Sequence, residues 1–123
     1  KLIKKKFGNK VAKIVEDCTD TKIIPKPPWF ERKNKYILDL RKKSQSSLLV
    51  SICDKTHNAS CINNDYYRVG EKIWKRFSVN KKQVCWYYES LGKCYYKNLK
   101  DHKVLKQNFK KLILEMKLIS KKQ

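Results

Sequence analysis

Apolar residues recur at helical spacing along most of the chain, and the run that organises the rest is Leu48 to Asn64, LLVSICDKTHNASCINN. Leu48, Leu49, Ile52, Cys53 and Thr56 fall at i, i+1, i+4, i+5 and i+8, the spacing of a helix buried on a broad face. Ser44, Ser46 and Ser47 offer N-cap oxygens before it, and Asn63-Asn64 offers a place to stop. Upstream, Leu2, Ile3 and Phe7 followed by Gly8 read as a helix end with Lys4 to Lys6 in its last turn. Val11, Ala12, Ile14, Val15 and Cys18 form a second stripe, expected to be plain core packing. The prolines around Ile23 to Pro27 predict extended chain. Pro28 then opens a helix from Trp29 to about Lys42, with Trp29, Tyr36, Ile37 and Leu40 inward.

Beyond the central run, Asp65 to Gly70 reads as a turn or helix end, and Glu71 to Phe77 as a short amphipathic helix with Ile73, Trp74 and Phe77 on its apolar side. Ser78 and Asn80 can cap the next helix, in which Val84, Cys85, Tyr87, Tyr88, Leu91, Tyr95 and Tyr96 give nearly all-round aromatic character. The last segment, His102 to Gln123, spaces Val104, Leu105, Phe109, Leu112, Ile113, Met116 and Ile119 as one face of a helix with lysines between. Docking on the domain is its default role; a partner or an anionic membrane are the other openings. No period-two pattern, phosphate-loop motif or repeat occurs. The fold class expected is all-α.

Composition narrows this picture. At 123 residues, with 41% apolar residues and only three glycines and three prolines, the chain fits one helical globular piece better than a disordered one. No run reaches the length of a membrane span and no signal-peptide pattern occurs, so a cytoplasmic location is expected. Five cysteines lack any C-x-x-C pair, which argues against a zinc ribbon and for reduced, mostly buried thiols. The net charge is +20, yet only four of the 31 basic residues are arginine, the residue preferred for bidentate phosphate and base contacts. The lysines are spread along the whole chain with no dense arm, and together with the many Asn and Ile residues they suggest an AT-rich coding sequence with charge drifting on solvated surfaces. Specific nucleic-acid binding is therefore not expected, although weak binding to polyanions is.

Chemistry concentrates on the central run, where Asp54 and Asn58 project together at i and i+4. A carboxylate beside a core face is costly unless something pairs with it. Two readings remain open. In one, Asp54 sits at the rim of the buried face, pairs with a lysine and does nothing else. In the other it is a metal ligand, with Asn58 holding a phosphate-bearing substrate beside the ion.

SICDKTHNASCI resembles the A-D-K/R-L-H-N segment of the HD-domain phosphohydrolases, specifically the guanosine polyphosphate pyrophosphohydrolase group of SpoT-type and RelA-type proteins. VAKIVEDCTD, PKPPWFERKNKYI, DYYRVGEKIWKRF and VCWYYESLGKCYY are similar to successive segments of small stand-alone members, in the same order. The likeness covers roughly residues 7 to 96. It implies the later helices of an HD-type helical bundle over residues 1–98, followed by a basic amphipathic helical tail over 99–123. Thr56 stands where the family usually has leucine, and Cys53 where it has alanine.

In that family a histidine, a His-Asp pair and a later aspartate hold a metal, usually manganese. The resemblance makes Asp54 the later aspartate and Asn58 the residue against the nucleotide; Lys55, Arg32 and Lys33 become candidate nucleotide contacts, the last two through the family's E-R-K. Lys26 flanks the same helix start. The histidine and the His-Asp pair have no counterpart here. His57 matches an unliganded position, and Glu16-Asp17 lie too late to be the Glu-Asp pair that follows the His-Asp motif. The chain also starts at Lys1, as an excerpt or truncated reading frame would.

The resemblance therefore implies part of a manganese-dependent guanosine polyphosphate 3'-pyrophosphohydrolase, inactive alone, with an N-terminal segment as a possible partner. The alternatives are a degenerate nucleotide- or protein-binding member and a basic nucleic-acid-binding helical protein.

Overall fold

A computed structural model of the chain describes residues 2–19 and 27–122. Six α-helices carry it: α1 (Leu2–Phe7), α2 (Asn9–Asp17), α3 (Trp29–Leu40), α4 (Gln45–Val69), α5 (Lys81–Asn98) and α6 (Lys103–Ser120). A 3-10 helix, Gly70–Arg76, joins α4 to α5. No strand occurs among the described residues. The all-α expectation holds. The extended chain expected from Ile23 onward, with Lys26 in it, lies outside the described residues as far as position 26.

The helix α4 is the hub, touching α2, α5, α6 and the 3-10 helix, while α3 and α6 both pack on α5. Ser44 is its N-cap, its Oγ accepting from the Ser47 amide at 3.1 Å. Leu48, Ile52, Ala59 and Ile62 put its apolar stripe into a core shared with Tyr36 and Leu40 of α3, Leu91 and Tyr95 of α5 and Phe109 and Met116 of α6. Thus α6 is packed into the same core rather than hanging from it. Asn80 caps α5 in a capping box with Gln83. At Gly92 of α5 the neighbouring helix α6 comes so close that a Cβ there would stand 2.8 Å from Ile113 Cδ1.

Several expectations are corrected. Asn63-Asn64 does not end α4, which continues to Val69 before Gly70 turns the chain with φ +71°, a conformation glycine adopts without strain. Asn63 is instead a buried clamp, its Nδ2 donating to the Leu112 carbonyl at 3.0 Å and to Glu115 Oε1 at 3.1 Å on α6. Residues 65–69 form the last turn of α4, the helix end rather than the turn of the two readings of Asp65 to Gly70. The short amphipathic helix after them is 3-10, burying Ile73 and Trp74.

The stripe on α2 is not core. Val11 and Val15 are 40% and 41% exposed, because the helix meets α4 at its C-terminal end, where Asp17 is the one residue it buries. Tyr96 is exposed, so the aromatic face of α5 is narrower than its sequence pattern. Of the five free cysteines only Cys85 and Cys94 are buried; Cys53 is exposed and Cys18 and Cys61 are half-buried.

Candidate functional site

Successive turns of α4 carry Ser47, which meets Asp17 of α2, Ser51 and Lys55, which meet Tyr36 of α3, and beside them Asp54 and Asn58. Ser51 is fully buried and bridges two phenols: its Oγ lies 2.9 Å from the Tyr36 hydroxyl and 2.6 Å from the Tyr95 hydroxyl. This chain of three hydroxyls ties α3, α4 and α5 together with every buried oxygen partnered. Burial pushes the Tyr95 phenol far above its usual value despite the opposing hydrogen bond from Ser51.

One turn further, Asp54 is 54% exposed at its side chain, and Lys55 beside it only 12%. Their Nζ and Oδ2 atoms are 3.4 Å apart. The same ammonium lies 5.2 Å from the centre of the Tyr36 ring, a cation–π distance. Lys33 of α3 takes the equivalent place over Tyr87, at 5.0 Å. The Lys55 ammonium thus rests on the phenol that Ser51 links to Tyr95. Arg32 is placed differently: its Nε donates to the Pro27 carbonyl at 3.1 Å, bracing the start of α3. Asn58 is half-buried on α4.

Two neighbours feel the Asp54 carboxylate. Burial first, then Asp54 and Cys61, push the Tyr88 phenol up to about 12, so it remains a neutral donor at physiological pH. Burial also raises the Cys18 thiol, with Asp54 adding to the effect and Lys55 opposing it. The C-terminal end of α2 thus lies within electrostatic reach of the Asp54–Lys55 pair.

Asp17, which the sequence did not single out, forms the most buried charge cluster among the described residues. Its side chain is 3% exposed; Oδ2 accepts from the Ser47 hydroxyl at 2.8 Å, and Oδ1 lies 3.2 Å from both Lys13 and Lys43. Burial works to raise its pKa, but Ser47, Lys43 and Lys13 together outweigh it and hold the carboxyl below the ordinary value. The group borders an open cleft of about 260 Å³ lined also by Asp39, Lys42 and Ser44. No local signal could reveal it, because Ser47 is 30 residues away in sequence.

The residues present do not fit a manganese centre. Among the described residues no three His, Cys, Asp or Glu side chains come together. Asp54 is a single carboxylate already engaged by Lys55, and metal affinity rests on the number and placement of ligands. Nor is any described helix long and apolar enough to cross a membrane.

No curated protein matches the chain significantly. A family model described as HD domain matches residues 1–84, which span α1 to α4, the 3-10 helix and the first turn of α5, and so contain Asp54, Asn58, Lys55, Arg32 and Lys33. With about two thirds of its length in that match, the chain belongs to the HD domain family.

Proposed function

We propose that this chain is the later part of an HD-type pyrophosphohydrolase that acts on guanosine polyphosphates, and that it does not hydrolyse them alone. HD domains are in general metal-dependent and of phosphohydrolase type. The observation that carries the reading is the placement of Asp54 and Asn58 one turn apart on α4, with Lys55 paired to Asp54 and resting on the Tyr36 ring and Lys33 on the Tyr87 ring. In this reading Lys33 and Lys55 neutralise the charge of the phosphates, Asn58 orients the nucleotide, and Arg32 holds the start of α3 in place beside it. Asp54 contributes one ligand to a manganese ion whose other ligands, a histidine and a His-Asp pair, come from a segment outside this chain.

The test is manganese-dependent release of pyrophosphate from guanosine tetraphosphate by the chain alone and by the reading frame extended upstream. The expected result is no turnover from the chain and turnover from the extended protein that falls at least about a thousandfold in Asp54→Ala, as for loss of a metal ligand. Turnover by the 123 residues alone would overturn the ligand argument.

A second reading has one observation in its favour: Lys55 already neutralises Asp54, as in a protein that binds a nucleotide without cleaving it. Guanosine tetraphosphate binding by the chain, with turnover absent from both proteins, would favour that reading.

A further inference from the structure

Cys53, His57 and Cys61 follow one another at four-residue spacing on α4, so they lie along one side of the helix. Cys53 and His57 are exposed and Cys61 is half-buried, all within reach of a dissolved ion. The Cys61 Sγ and His57 Nε2 atoms are 3.6 Å apart. Cys53 and Cys61 are two turns apart, roughly 12 Å along the axis, so one ion cannot take both thiols.

We propose that His57 and Cys61 form a two-residue chelate for a soft divalent cation, with zinc the best match, on the outer surface of α4. The spacing carries this. A tetrahedral zinc with bonds of about 2.0–2.1 Å to nitrogen and about 2.3 Å to sulfur holds its nitrogen and sulfur ligands about 3.6 Å apart. The separation in the protein has that value, so the two donor atoms already stand at the distance the ion requires.

The contact also accommodates the tautomer a metal needs. The Cys61 thiol donates to His57 Nε2 only when the ring proton is on Nδ1, and that form leaves Nε2 with the lone pair a metal needs. The donor pair is one imidazole and one thiol, a set that selects zinc and similar ions over manganese and magnesium, whose preferred ligands are oxygens. Binding replaces the thiol proton: the Cys61 S–H bond breaks, the sulfur keeps the electron pair and bonds the metal, and the proton passes to solvent. Water fills the two remaining positions, consistent with no third His, Cys, Asp or Glu joining the pair among the described residues.

The chelate is independent of the nucleotide reading, since it uses neither Asp54 nor a substrate. It is nevertheless close to it. Tyr88 feels both Asp54 and Cys61, so a bound cation would stand in the same electrostatic neighbourhood as that carboxylate.

Cobalt(II) titrated into the reduced chain is the probe, because a cobalt–thiolate bond gives a near-ultraviolet charge-transfer band that water and carboxylate ligands do not. The expected result is a band saturating at one equivalent, abolished in Cys61→Ser, displaced to at least about tenfold weaker affinity in His57→Ala, and within about twofold of the parent in Cys53→Ser. All three positions are exposed or half-buried on one helix, and far-ultraviolet circular dichroism checks that each variant stays folded. A band that survives Cys61→Ser, a His57→Ala titration that superimposes on the parent, or no band at all would each overturn the proposal and leave a thiol–imidazole hydrogen bond.

Discussion

Replacing Phe109 with alanine is expected to lower the stability of the fold by about 3–5 kcal/mol, a large part of what a domain of this size possesses. Phe109 is 1% exposed and lies where α6 enters the core. Its ring meets Tyr95 edge-on, with centroids 5.3 Å apart and an interplanar angle of 80°, the arrangement aromatic quadrupoles favour. Truncation removes the transfer energy of the ring and leaves a cavity. The neighbours cannot close it, since Tyr95 is fixed by its hydroxyl to Ser51 and Asn63 pins α6 to α4 through the Leu112 carbonyl. Urea unfolding followed by tyrosine and tryptophan fluorescence measures the loss. Val104→Ala, at a 67% exposed position on the same helix, is the control and should stay within about 0.5 kcal/mol. A deficit below about 1 kcal/mol for Phe109→Ala would mean that α6 is not part of the core.

The next largest effect is expected at Asp17. Asp17→Ala leaves the Ser47 hydroxyl without its acceptor and Lys43, 26% exposed, without its counter-charge, for an expected loss of about 2–4 kcal/mol at neutral pH. The pH dependence distinguishes this from a packing defect. The folded carboxyl has a lowered pKa, so below the unfolded value near 3.8 the unfolded chain takes up a proton before the folded one does. The contribution of Asp17 is therefore complete above about pH 4–5 and fades as the pH falls through the folded pKa. Parent and Asp17→Ala unfolding midpoints should converge as the pH is taken from 7 toward 3. Parallel curves over that range would show that the carboxylate charge contributes nothing. Asp39 and Asp65 are lowered in the same direction, by Lys35 and by Arg76 with Arg68 respectively, so both proteins keep a common acid sensitivity.

What the sequence made legible was local. The i, i+4 recurrence in Leu48 to Thr56 located α4 and its core face, and Ser44 and Asn80 were readable as caps because each acts within three residues of itself. The same locality explains the failures. An asparagine pair looks like a helix stop, yet Asn63 finds Leu112 and Glu115 49 and 52 residues further on, and that pairing makes a mid-helix amide favourable. Asp17 reads as one more acid at a helix end until Ser47 and Lys43 arrive from across the bundle. The stripe of Val11 and Val15 has core periodicity, but periodicity reports a face and not what covers it.

At the candidate site the sequence located Asp54 and Asn58 on one side of α4. It could not foresee that Lys33 and Lys55 would come to rest on Tyr87 and Tyr36, because ring contacts between helices follow from packing. Nor did it foresee Arg32 bracing the Pro27 carbonyl.

The close approach of α6 to Gly92 ties two distant positions into one evolutionary unit. A methyl group at 92 would collide with Ile113 Cδ1 but meets Phe109 at an ordinary 3.5 Å. Alanine at 92 therefore becomes acceptable once residue 113 has shed its terminal methyl, as valine has. The two orders differ in what must give: shortening residue 113 first leaves a slightly underpacked contact, whereas enlarging residue 92 first requires the terminal methyl of Ile113 to turn aside. The identity of residue 92 on α5 is thus coupled to that of residue 113 on α6 through one terminal methyl group.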